Sequence, residues 1–182
     1  SPAAAPSVDR IEETFGKKPE QFMTDSGNNS GQIMLDMEKR GVEFYAPVTS
    51  SEPKSGDPAW REDPTKPVPE SEWPRLQRNG HGLLDKSCFI YDPAQDLYYC
   101  PMGHPMPFDK SKPDQRGSQQ IKLRVYRCQD CTGCPLASNC VLPKNQHGRT
   151  ITRDGYEEVR KRTAQRMSSE AGRQLYKQRP RI

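Results

Sequence analysis

Four cysteines fall within the thirteen positions Cys128–Cys140, spaced C-x2-C-x2-C-x5-C, and a fifth, Cys100, lies upstream in "YYCPMGH". Thiolates suit a tetrahedral Zn²⁺, and a C-x2-C turn lets two sulfurs approach one ion. A hairpin that supplies one ligand and a loop that supplies three predict a closed site of Cys100, Cys131, Cys134 and Cys140. Cys128 is the alternative ligand, because it still lies at the end of an alternating strand. Four close thiols also suit an iron–sulfur cluster, although the spacing is not that of ferredoxins. Unliganded thiols and disulfides are the remaining readings. His104 follows Cys100 by four residues and is within ligand reach, yet between Gly103 and Pro105 it reads as a surface residue. His81 and His147 read as solvent-exposed, and Cys88, beside Phe89, as a buried small hydrophobe.

The second candidate is a carboxylate. "EQFMTD" (20–25) is a short apolar run that ends at Asp25. The C-terminal end of a buried strand is a place for a catalytic metal ligand, and Asp before Ser-Gly is also an ordinary turn.

The elements that must position these residues are legible in part. "IEETFGKKP" (11–19) reads as the end of a helix closed at Gly16, after a loose lead-in over residues 1–10. Residues 20–25 and 42–48 read as strands. Between them "QIMLDMEKRG" (32–41) reads as a short helix with Lys39 and Arg40 in its last turn and Gly41 as its stop. Strand, helix and strand imply a parallel pair. Seven prolines between Pro47 and Pro74 predict a linker over 49–87. "CFIY" and "LYYC" around "DPAQD" predict a hairpin within a cysteine-rich segment, 88–148. In "IKLRVYRC" (121–128) Ile121, Leu123 and Val125 alternate with Lys122, Arg124 and Tyr126, as in a half-exposed strand. Tyr156, Val159, Thr163, Met167, Ala171 and Leu175 predict one helix over 154–179, with Asp154 as N-cap and Glu157 completing a capping box. The fold class is therefore α/β (α+β).

Composition narrows the function. Only 31% of the 182 residues are hydrophobic, with 18 prolines and 13 glycines, so the core is modest and part of the chain is extended or loop-like. No apolar run approaches the roughly 20 residues that span a membrane. No export signal is visible, which points to a reducing cytoplasm, where clustered cysteines favour metal. The net charge of +4 is uneven: residues 149–182 carry ten Lys/Arg against four acids. A basic end on a near-neutral body predicts a polyanion partner, with Arg149, Arg153, Arg160, Lys161, Arg166, Arg173 and Lys177 as candidate DNA-binding residues. The bland alternative is a solvated helix face.

"KKPEQFMTDSGNNSGQIMLDMEKRGVEFYAPV" resembles the stretch around the second catalytic aspartate of bacterial insertion-sequence transposases of the DDE type. "FIYDPAQDLYYCPMG" and "YRCQDCTGCPLASNC" resemble the cysteine-rich insertion that one branch carries before its final glutamate. "GRTITRDGYEEVRKRTAQRMSSEAGRQLYKQRP" resembles the basic helix leading back to that glutamate. The resemblance implies a partial RNase H-like domain over 1–48, interrupted by a zinc-ribbon-like insertion and rejoined by the basic helix over 149–182. It implies metal-dependent cleavage and transfer of double-stranded DNA, with Asp25 as a Mg²⁺ ligand, and it admits a homo-oligomer. The other two carboxylates would lie before Ser1 and after Ile182, so the chain reads as an internal fragment. Gly27-Asn28 stands where Gly-Tyr is usual. A non-catalytic zinc-ribbon module that binds DNA or protein, and a nuclease of the same fold, are the other readings.

Overall fold

A computed structural model of the chain describes residues 4–25, 27, 29–48, 51–116, 119–143, 145 and 147–178. The fold is mixed α/β. It divides into two compact units, residues 1–50 with 156–182 and residues 51–155.

In the first unit, α1 (Ala4–Phe15) opens the chain, so a helix replaces the expected loose lead-in. Pro6 falls in its first turn, where a missing backbone N–H costs nothing. Ala4 and Val8 bury its inner face, and Gly16 ends it at φ +71°. Strand β1 (Gln21–Met23) pairs in parallel with β2 (Glu43–Tyr45). Helix α2 (Gly31–Lys39) crosses between them, as the sequence predicts. Its first turn is capped by Ser30, whose Oγ accepts the Ile33 amide. Ile33, Met34, Met37, Val42 and Phe44 form the buried core with Val8.

The basic C-terminal region closes onto this core as two helices rather than one, α4 (Glu157–Ser168) and α5 (Glu170–Lys177); α3 belongs to the other unit. The chain breaks at Ser169, whose Oγ caps α5 by accepting the Gly172 amide at 3.0 Å. A Cβ at position 172 would collide with the Arg166 carbonyl, so only glycine permits so tight a bend. Val159 and Thr163 are buried, but Ala171 is exposed; the apolar line does not continue straight through the break. The N-cap position is Tyr156, and Asp154 does not serve as the predicted cap.

The second unit holds an antiparallel meander in the order β3-β4-β5-β6-β7. Its strands are β3 (Ile90–Asp92), β4 (Leu97–Tyr99), β5 (Pro105–Arg116), β6 (Gln119–Arg127) and β7 (Thr150–Arg153), with the short helix α3 (Ala137–Cys140) before β7. The β3–β4 hairpin and β6 fall where the sequence puts them. Strand β5 falls on a stretch with three prolines and no alternation. It tolerates Pro113 because β4 pairs only with Pro105–Pro107, so at 113 the strand has a single neighbour, β6. Tyr126 departs from the predicted polar face and is fully buried. A register shift between Phe108 and Lys110 interrupts the ladder opposite it. Residues 149–153, expected at the start of the basic helix, instead lead into and form the edge strand β7. Asp154 is buried there against Arg116 Nη1 at 2.7 Å.

The proline-rich stretch 49–87, expected as a linker, contributes Ala59, Val68, Leu76 and Leu84 to the same core as the cysteines. Its prolines prevent strands but not burial. Single backbone bonds attach it, with the Val68 amide on the Pro101 carbonyl (2.7 Å) and the Leu84 amide on the Asn139 carbonyl (2.6 Å).

One polar network ties the hairpin to β6. Asp96, at φ 52° in the β3–β4 turn, accepts from the hydroxyls of Tyr91 (2.8 Å) and Tyr126 (2.7 Å) and from Arg124. Burial works to raise its pKa; the two hydroxyls and the guanidinium outweigh burial and hold the carboxyl below its ordinary value of 3.8. Asp96→Ala is expected to cost about 1–3 kcal/mol in urea unfolding, toward the low end because the carboxylate is half exposed. A depressed pKa means that this contribution is complete above about pH 4 and fades as the pH falls through the folded-state value. The difference between wild type and variant should therefore shrink in acid.

Candidate metal centre and basic helices

Topology brings the sulfurs together. Strands β4 and β6 flank β5 and run in the same direction, so the residues that follow them, Cys100 and Cys128, emerge at one end of the sheet. His104 stands at that end too, immediately before β5. Cys100 begins a tight turn. The Gly103 amide donates to the Cys100 carbonyl (2.8 Å), and the Cys100 amide to the His104 carbonyl (3.0 Å). Cys128 is fixed by its amide on the Arg149 carbonyl at 2.9 Å, which joins it to the start of β7.

Cys100, Cys128, Cys131, Cys134 and Cys140 all line one small cavity of about 10 Å³, with Met102, Leu136 and Arg149, room for about one water or one ion. The ligand atoms of Cys100, His104 and Cys128 lie within 4.8 Å of one another, although His104 is not among the residues that line the cavity. Cys128, expected as the spare, is therefore next to Cys100. Strand β6 ends at Arg127, and the backbone turns the Cys128 side chain inward, 2% exposed. His104, expected at the surface, is half-buried, with Nδ1 donating to the Asp130 carbonyl at 3.2 Å. The four-residue spacing from Cys100 is the sequence signal for this placement. Cys131 Sγ accepts the Arg149 amide at 3.4 Å.

The electrostatics separate the thiols. The hydrogen bond from Cys128, helped by backbone amides and against burial, brings Cys100 down to about 6. Cys128 is pushed up by that same pairing. Burial pushes Cys140 up to about 12 and Cys88, which lies apart from the cavity, up to about 11.

Two of the predicted DNA-binding residues are engaged inside the second unit. Arg149 donates to the carbonyls of Leu84 (2.7 Å) and Cys140 (3.0 Å). Arg153 is 7% exposed and lies over the Tyr91 ring at 3.8 Å. Neither guanidinium faces outward, because both complete a weakly apolar core. In the first unit Arg166 donates to the Phe44 carbonyl (3.2 Å), and Arg160 pairs with Glu157 (3.5 Å). Arg160, Lys161 and Arg166 are half-buried, whereas Arg173 and Lys177 on α5 are exposed.

Asp25 is exposed, two residues past the end of β1, and its Oδ1 accepts the Gly27 amide at 3.1 Å. The Tyr176 hydroxyl donates to the Thr24 carbonyl at 3.2 Å, which fixes α5 beside the end of that strand. Asp25 belongs to no group of three metal-binding side chains among the described residues.

Residues 99–182 match the family model described as "Transposase DDE domain". This part of the chain is similar to a DDE transposase domain. The transposase match begins at the end of β4 and takes in the cysteine cavity, β5–β7 and both basic helices; Asp25 lies outside it. No curated protein matches the chain, and no solved structure does. Among the described residues no helix is long and apolar enough to cross a membrane.

Gly103 holds the Cys100 turn at φ +79°, and a Cβ there would collide with the Thr65 carbonyl. Gly103→Ala is expected to destabilise the protein by at least about 2 kcal/mol, combining backbone strain with overpacking. Thermal unfolding measures the shift.

Proposed function

We propose that the chain is part of a DDE transposase that cuts and joins double-stranded DNA at insertion-sequence ends in the cytoplasm. The observation that carries this reading is Asp25 at the end of β1, in a parallel strand–helix–strand unit, on a chain whose residues 99–182 match the family. That unit is the part of an RNase H-like core proposed for this chain. An exposed carboxylate is a hard oxygen donor that suits Mg²⁺. In the family's chemistry two such ions, held by three carboxylates, activate the attacking oxygen and stabilise the leaving one. Here Asp25 contributes one carboxylate of the three, and the remaining two are assigned to segments outside this chain. By itself the chain is then inactive. Purified protein with Mg²⁺ should leave supercoiled plasmid unnicked. Nicking that disappears in Asp25→Ala would contradict this assignment.

DNA is held, in this reading, by α5 and the outer side of α4, with exposed Lys177 and Arg173, the latter paired with Glu170 at 2.6 Å, and Arg160, Lys161 and Arg166 beside them. Phosphate contacts carry affinity with little sequence information. Fluorescence anisotropy with duplex DNA should therefore show weak, sequence-tolerant binding whose log–log salt slope is roughly −0.9 per phosphate. The double variant Arg173→Gln/Lys177→Gln should reduce the magnitude of that slope by roughly 2. An unchanged slope would remove α5 from the interface. The cysteine cavity supports a second reading, a non-catalytic zinc-ribbon module, and that reading gains if binding persists unchanged in this variant.

A further inference from the structure

We propose that the chain holds one tetrahedral Zn²⁺ through Cys100, His104, Cys128 and Cys131, a three-sulfur, one-nitrogen centre, and not through Cys134 and Cys140. The first three ligands stand on geometry: their donor atoms lie within 4.8 Å of one another at one end of the meander. With Zn–S about 2.3 Å and Zn–N about 2.0–2.1 Å, tetrahedral donors sit about 3.3–3.8 Å apart, so closing on an ion needs a movement of about 1 Å. Two turns each supply a pair. One is Cys100-Pro-Met-Gly-His104, closed by the Gly103 amide on the Cys100 carbonyl. The other is Cys128-Gln-Asp-Cys131, in which the Cys131 sulfur reaches back to the Cys128 carbonyl at 3.8 Å.

Three further features single out these four. The Cys131 sulfur already accepts the Arg149 amide, as a thiolate ligand does. His104 donates from Nδ1 to the Asp130 carbonyl, which fixes the tautomer whose Nε2 lone pair is free for a metal and is the usual outer-shell support of a ligating histidine. Three thiolates, a neutral imidazole and Zn²⁺ sum to −1. Two largely buried guanidiniums lie around that charge: Arg61 on the Cys100 carbonyl (3.0 Å) and Arg149 on the Cys140 carbonyl. Cys131, Cys134 and Cys140 all line the same cavity and none joins the three-residue group among the described residues; Cys131 is chosen as the fourth ligand because it shares the Cys128 turn and its sulfur accepts the Arg149 amide.

The test needs the wild-type chain and four variants. Protein purified without chelator should carry about one equivalent of zinc by elemental analysis. X-ray absorption at the zinc edge should fit three sulfurs and one nitrogen. Cys134→Ser and Cys140→Ser should keep about one equivalent, while His104→Ala and Cys128→Ser fall several-fold. A four-sulfur shell in the wild type overturns the proposal, and because it is read on unaltered protein it does so whether or not any variant folds. Zinc retained in His104→Ala and Cys128→Ser but lost from Cys134→Ser or Cys140→Ser also overturns it. So does less than about a tenth of an equivalent in the wild type. The result is independent of whether the DNA reading holds.

Discussion

The second unit is organised around the meeting of Cys100 and Cys128 at one end of a five-stranded meander. The apolar supply there is thin. Mean hydropathy over the chain is −1.02, and much of the cavity wall is sulfur. A small core of this kind gains from a crosslink that does not require more buried carbon, which is what the proposed metal centre would supply. The proline-rich stretch from 51 onward is attached to the same turns. Val68 is hydrogen-bonded to the residue after Cys100, and Leu84 to the residue before Cys140. Arg61 and Arg149 cap carbonyls of the same loops. Segments with almost no regular structure are ordered because they are fastened to the turns that carry the cysteines.

Local signals were readable in the sequence, and long-range ones were not. Strand β1, helix α2 and strand β2 each carry their own punctuation: a serine cap, a glycine stop and short apolar runs. The β3–β4 hairpin carries its turn residues. The helix break at Ser169 lay in plain view as a Ser-Ser-Glu cap signal, but the apolar periodicity of the flanking residues outweighed it. Strand β5 could not be found by alternation, since its order comes from pairing with β6, and its prolines argue the other way until the shortness of β4 is known. In the same way Arg149 and Arg153 look like part of a basic run, and only the fold shows that β7 carries them inward.

The candidate centre was half legible. A cluster of four cysteines and a single one upstream suggest metal chemistry, but which of them meet depends on strand order and direction. That Cys100 and Cys128 flank β5 from the same side is a property of the meander. The basic helices show the reverse. Their charge was evident from composition, while the structure narrows it: Arg166 is tied to the Phe44 carbonyl and Arg160 to Glu157, Lys161 is half-buried, and Arg173 and Lys177 are exposed. The similarity to a DDE transposase domain lies in residues 99–182, which include both the cysteine cluster and these helices.

The claim that the sulfur-lined centre orders the 51–155 unit is tested most directly by hydrogen–deuterium exchange with and without a zinc chelator. The account predicts that chelation strips protection from the Val68, Leu84, Cys100 and Cys128 amides, while amides of α2 and α4 in the first unit keep theirs. Protection in residues 51–155 that is indifferent to the chelator, in protein shown to lose its metal, would contradict it.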